Sequence, residues 1–143
     1  MSLREPGHKM SKSSPSDLSK ILMTDSDEAI VKKIRSAVTD SDSTVTWDPQ
    51  NRPGIAGLLR IQSGYTGESV QDIAKRFERK TGIRDLKAEC ADAIIAGVRD
   101  FREQYSRILQ DGAFLREKEA QGASRARERA AETMTQVRRL VGM

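Results

Sequence analysis

The sequence predicts a mainly α-helical fold, and three observations carry that reading. Apolar residues recur every three or four positions through most of the chain after Asp25, the spacing that gathers them on one helical face. Asp25 with Glu28, and Ser69 with Asp72, place a capping residue three positions before an acid at the head of such runs. Proline and glycine punctuate the ends, with Pro53 at one entrance, Tyr65-Thr66-Gly67 as an interruption and Gly82 as a cap at an exit.

The chain opens on a polar loop, Gly7 to Pro15, whose glycine, serines and proline disfavour regular structure. Lys9 and Lys12 give it mobile positive charge suited to phosphate groups, although a basic serine-rich loop is also what a solvated surface contains. Leu18 to Met23 is too short for a helix and fits a turn leading into an extended segment. Ile30, Val31, Ile34, Ala37 and Val38 then mark the apolar side of a helix, with Lys32, Lys33 and Arg35 on the other side, either solvated or near phosphates. Asp40 to Pro49 reads as a loop in which Trp47 anchors against neighbouring helices or stacks on a base.

Pro53 opens a short helix with Ile55, Leu58, Leu59 and Ile61 on its apolar side, interrupted at Tyr65-Thr66-Gly67. Val70, Ile73, Ala74 and Phe77 form the next stripe, closed by Lys80-Thr81-Gly82. A long core helix is expected from Ile83, with Leu86, Cys90, Ala93, Ile94, Val98, Phe101, Tyr105, Ile108 and Leu109 inside and Gly97 permitting a close helix crossing. Asp111-Gly112 breaks it. The remainder is helical by composition, with a break or kink expected at Gly122 and with alanines such as Ala123, Ala126 and Ala130 packing against the long helix. The arginines between them, Arg125, Arg127, Arg129, Arg138 and Arg139, meet phosphates or solubilise the bundle.

With 143 residues the chain has room for one compact domain but not for a large catalytic domain plus an RNA-binding one. No apolar run approaches the roughly 18 residues of a membrane span. The net charge of +4 favours a polyanionic partner without identifying it. Cys90, the only cysteine, excludes an intrachain disulfide and reads as a buried thiol, and with His8 as the sole histidine no Cys/His zinc site is expected. No signal-peptide core follows Met1, and the opening Ser2-Leu3-Arg4-Glu5-Pro6 reads as entry into the middle of a larger unit, so a fragment is expected.

The order of motifs is more specific than any one of them. Lys9-Met10-Ser11-Lys12-Ser13, Ala37-Val38-Thr39-Asp40-Ser41, Trp47-Asp48-Pro49, Arg52-Pro53-Gly54-Ile55, Leu58-Leu59, Tyr65-Thr66-Gly67 and the closing Gly122-Ala123 to Val137 segment follow one another along the chain. Together they resemble the C-terminal half of the bacterial or mitochondrial tryptophanyl-tRNA synthetases, which are class I aminoacyl-tRNA synthetases. The resemblance implies a remnant of the catalytic domain with its signature loop over 1–25, a linking helix and loop over 26–52, and a helical anticodon-binding-type domain over 53–143. It also implies that the family's Rossmann-like nucleotide-binding domain lies outside this sequence.

By the same resemblance, Lys9 and Lys12 would be catalytic, stabilising the pyrophosphate leaving group as tryptophan is activated. Met10, Ser11 and Ser13 would complete the ATP loop, Met10 by packing and the serines by holding the loop or bonding phosphate. Arg76, Lys80, Arg84, Lys87, Arg99 and Arg102 are the candidates for tRNA contact. The parent would use ATP with Mg2+, bind tRNA(Trp), form a homodimer and work in a mitochondrial matrix or bacterial cytoplasm, with no DNA or membrane partner. The isolated chain is expected to hold no cofactor or metal and to be inactive, and a free-standing non-catalytic tRNA-binding module is the alternative. Two departures stand out: Ser14 where the family commonly has aspartate, and Ile83-Arg84-Asp85 with the charged Arg99 to Glu103 run where relatives often carry a tyrosine-glycine approach and a proline.

Overall fold

The computed structural model describes residues 1–77 and 82–143, and all regular structure among them is helical. After a single 3-10 turn at Asp17–Ser19 come α1 (Asp27–Arg35), α2 (Pro53–Thr66), α3 (Val70–Phe77), α4 (Ile83–Gln110) and α5 (Gly112–Leu140). The described residues form two compact units, Met1–Arg102 and Glu103–Met143, and α4 contributes residues to both.

In the first unit the stripes expected from spacing converge on one core. Ile30 and Ile34 of α1, Ile55, Leu58 and Leu59 of α2, Ile73 and Phe77 of α3, and Leu86, Cys90, Ile94 and Val98 of α4 are buried there with Leu3 and Val45 from the loops. Each such large side chain contributes about 1.5–3 kcal/mol on leaving water. The entrances to α2 and α3 follow the expected chemistry. Pro53 occupies the first turn of α2, and Gly67 closes it at φ 74°, a left-handed conformation that glycine adopts without strain. The Ser69 hydroxyl accepts the Asp72 N–H at 3.2 Å and donates to its carboxylate at 2.6 Å.

α1 differs from the expectation in three ways. It ends at Arg35, so Ala37 and Val38, expected on its apolar side, lie beyond it and Val38 is exposed. Its cap is Ser26, whose hydroxyl accepts the Ala29 N–H at 3.2 Å, while Asp25 turns back to accept the Leu22 N–H at 2.8 Å. Lys33 is not on a solvated side. It is only 3% exposed and its ammonium bonds Asp25 at 2.7 Å, with Asp17 a further 3.5 Å contact. A buried lysine is tolerable only with such a partner.

The loop after α1 is organised by Arg52, also buried. Its guanidinium donates to both carboxylate oxygens of Asp40 at 2.7 and 3.0 Å, to Thr44 and Thr46 at 3.1 and 2.8 Å, and to the Asp42 carbonyl at 2.9 Å. All five guanidinium donors are thereby satisfied. That pairing holds the Asp40 carboxyl below its ordinary range and raises Arg52 further. Trp47 takes the anchoring role, half-buried against the core with the Arg60 guanidinium 5.1 Å from its ring centre. Gly97 serves the close approach foreseen for it, since a Cβ there would overlap the Tyr65 ring.

The apolar period of α4 continues past Val98, but burial does not. Phe101, Tyr105, Ile108 and Leu109 are exposed, and Ala93 is only half-buried. In the second unit α5 has no buried residue, so its alanines do not form the expected interior, and the helix runs through Gly122 without interruption. It begins at Asp111, whose carboxylate accepts the Phe114 N–H at 2.9 Å, and is laced by side-chain bonds one turn apart, such as Gln121 to Glu117 at 2.8 Å. No described helix is long and apolar enough to cross a membrane.

Candidate functional site

The lysine-rich loop is fastened to the first unit through Leu3 and Ser19. Buried Leu3 donates its N–H to the Ser19 carbonyl at 3.0 Å and accepts the Val38 N–H at 2.8 Å, tying the chain start to the segment after α1. A turn follows, in which Ser2 donates to the His8 carbonyl and His8 to that of Glu5, both at 2.8 Å. His8 is therefore a loop residue, its ring 3.6 Å from the Glu5 carboxylate and well exposed.

Beyond this turn Lys9 and Lys12 are exposed. Met10 between them is half-buried and packs on the apolar core, so the loop has an apolar anchor at its middle. The Ser11 and Ser13 hydroxyls lie 3.0 Å apart, and the Ser14 N–H reaches the Ser11 carbonyl at 3.3 Å. Ser19, buried, donates its hydroxyl to the Ser16 carbonyl at 2.6 Å, and its oxygen lies 2.9 Å from the Ser14 hydroxyl. The Lys20 ammonium bonds the carbonyls of Lys12 and Ser14, each at 3.0 Å. Sequence reasoning missed Lys20, because a side chain that binds backbone carbonyls leaves no residue pattern behind.

The expected RNA-facing cations divide by their partners. Arg76 is held by Glu89 at 2.9 Å and Glu68 at 3.1 Å. Arg102 bonds the Asp25 carbonyl at 2.7 Å and the Asp27 carboxylate, bracing the start of α1 against α4. Lys87 donates to the carbonyls of Ala37 at 2.8 Å and Arg35 at 3.3 Å, completing the end of α1, and burial lowers its pKa. Arg84 and Arg99 are exposed. Lys80 lies outside the described residues. Arg84 and Lys87 share an open groove of about 700 Å3 with Arg35, over a floor that includes Val31, Ile83 and Ala91, so the structure brings together three cations from two helices. Arg99 is not among them.

Cys90 is fully buried beside the Leu58 carbonyl, and burial pushes its thiol up to about 12, so it offers no nucleophile. Among the described residues no three His, Cys, Asp or Glu side chains come together as a metal site.

Residues 1–98 match the model of the class I tRNA synthetases for tryptophan and tyrosine. The chain is 39% identical over its whole length to the tryptophan–tRNA ligase of Oceanobacillus iheyensis and 38% identical to that of Bacillus anthracis, and in each case covers 43% of the relative. Tryptophan–tRNA ligase 2 of Streptomyces avermitilis is 37% identical over 98% of this chain and 41% of its own. The chain thus spans less than half the length of these curated relatives. Among solved structures, tryptophanyl-tRNA synthetase from Mycoplasma pneumoniae superposes with a TM-score of 0.61 at 30% identity, over 73% of this chain and 33% of that one. With a family match over more than half of its residues and the lysine-serine loop in place, the chain belongs to the class I tRNA synthetases of the tryptophan and tyrosine type, as a homologue of the tryptophan–tRNA ligases.

Proposed function

We propose that the chain is the C-terminal part of a tryptophan–tRNA ligase, a protein that activates tryptophan with ATP and transfers it to tRNA(Trp). The observation that supports this most is the loop itself: exposed Lys9 and Lys12 flank a packed Met10, on a body matched as far as residue 98. Positive charge placed where the departing pyrophosphate gathers negative charge lowers the barrier more than it tightens ground-state ATP. Lys9 and Lys12 take that role, Met10 seats the loop, and Ser11 and Ser13 keep its turn. Mg2+ would accompany the ATP phosphates in the parent, and among the described residues no three His, Cys, Asp or Glu side chains come together to hold it.

Activation also requires tryptophan and ATP to be held in line. That work belongs to the remainder of the parent, so the 143-residue chain alone forms no tryptophanyl-adenylate. Its own part is to carry the loop and a helical surface for tRNA. Of the RNA candidates Arg84 and Arg99 are exposed, Arg84 beside Arg35 in the open groove, while Lys87 is held by backbone carbonyls and Arg76 and Arg102 are engaged in ion pairs. The parent is a homodimer of a bacterial cytoplasm or mitochondrial matrix in this reading.

A free-standing tRNA-binding module is the second reading, favoured by one observation: the first unit closes an apolar core of its own, from Leu3 to Val98. The mass of the endogenous protein separates the two. A species of about 35–40 kDa, two average domains, supports the ligase, whereas a native species at 15.9 kDa supports the module.

A further inference from the structure

The chain carries a third lysine, just after the loop, to which neither the motif nor the family match gives a role. Lys20 is half-buried, and its ammonium lies 3.0 Å from both the Lys12 and the Ser14 carbonyl oxygens. Its own position is fixed by its neighbour: Ser19 is buried, its carbonyl accepts the Leu3 N–H at 3.0 Å, and its hydroxyl donates to the Ser16 carbonyl and pairs with the Ser14 hydroxyl. The clamp therefore reaches from an anchored point of the first unit into the middle of the signature loop.

We infer that Lys20 is a positioning residue that sets the anion-binding shape of the loop, the anion being a polyphosphate such as pyrophosphate or the tail of a nucleotide. The physical basis is the planar trans peptide, in which a carbonyl and the following N–H point in opposite directions. With the Lys12 carbonyl drawn to Lys20, the Ser13 N–H is turned away from that ammonium. The Ser14 carbonyl precedes Pro15, which has no N–H, so the second bond misdirects no donor. Among the described residues the backbone N–H groups of Lys9 to Ser13 donate to no protein acceptor. They are available to water or to a ligand, alongside the Lys9 and Lys12 ammonium groups. Lys20 also adds a third charge to the loop while remaining bonded to carbonyls, and so favours an anion without contacting it. The choice of ligand rests on the phosphate-loop reading of the previous subsection, whereas the clamp rests on its own geometry.

The test uses 1H–15N NMR of the 143-residue chain as wild type, Lys20→Met, Lys20→Arg and, as a surface control on α1, Lys32→Met. Without ligand, the heteronuclear NOE values at Lys12, Ser13 and Ser14 are expected to fall toward those of a free chain in Lys20→Met. They should hold in Lys20→Arg and Lys32→Met, with the amides of α2 and α3 unmoved in all variants. Added inorganic pyrophosphate, with ATP in a parallel titration, is expected to shift the Lys9 to Ser13 amides. Its apparent affinity should fall about tenfold in Lys20→Met, through the lost loop shape and the lost nearby positive charge, and return in Lys20→Arg. An ordered loop in Lys20→Met overturns the inference, and so does a loosened loop that binds pyrophosphate as tightly as wild type. If pyrophosphate shifts nothing in the wild type while Lys20→Met still loosens the loop, the clamp stands and the phosphate-loop reading fails.

Discussion

Between Gly7 and Pro15 the chain is held by serine hydroxyls, one lysine ammonium and the packing of Met10, and every other side chain there except Ser14 is exposed. Between Ile30 and Val98 it is held by apolar side chains with almost no surface in water. The first stretch has charge to offer and little burial to lose, and the second has the reverse. On the proposed reading, stability and anion chemistry fall to different residues, and substitutions in one should leave the other's property intact.

Phe77→Ala should sharpen this contrast most. It empties a fully buried aromatic site and is expected to cost about 3–5 kcal/mol, read as a lower urea midpoint, whereas Lys9→Ala and Lys12→Ala should stay within about 0.5 kcal/mol of wild type. Equal losses in the two regions would erase the distinction. Next is Lys33→Ala, which strands the Asp25 carboxylate, itself 10% exposed, and should cost about 3 kcal/mol in the same measurement. A shift no larger than that of Lys32→Ala would mean that the Lys33–Asp25 pair is not formed in solution.

Two glycines give a smaller pair. A Cβ at Gly54 overlaps the Val38 carbonyl, which is backbone, so Gly54→Ala should destabilise by about 1–3 kcal/mol. At Gly97 the obstacle is the Tyr65 ring, an exposed side chain that swings aside, and the helix gains about 1 kcal/mol from alanine, so calorimetry should find little net change. The smallest effect concerns pH. Arg52 lowers the folded pKa of Asp40, so the stability from this pair is complete above the ordinary carboxylate range near pH 4 and is lost as pH falls through the lowered value. Asp40→Asn should flatten that acid limb of the stability profile, and an unchanged limb would assign it to other carboxylates.

How far the sequence reveals this architecture differs by region for physical reasons. Pro53, Gly67 and the Ser69–Asp72 box mark their helices because caps act locally, and the Ile30, Ile55, Ile73 and Leu86 stripes mark the core because spacing fixes a face. Lys33 sits at the same spacing, with Ile30, Ile34 and Ala37, yet its charge argues for solvent. Only Asp25, brought back by the turn before α1, makes its burial tolerable. The periodicity from Phe101 to Leu109 and through α5 describes a stripe but not what covers it, so burial there was not legible. At Gly122 the surrounding alanines, glutamates and arginines carry the helix past a cost of about 1 kcal/mol. In the loop, the lysines and serines are legible as a motif, while the Lys20 clamp and the five bonds of Arg52 depend on where the backbone passes.

The most direct measurement is ATP–pyrophosphate exchange with tryptophan, run on the purified 143-residue chain beside its Lys12→Ala variant. A loop that supplies charge but depends on the rest of a ligase to hold its substrates gives no tryptophan-dependent exchange in either protein. Exchange by the wild-type chain above the Lys12→Ala level would contradict that division, and would place substrate positioning as well as charge within these residues.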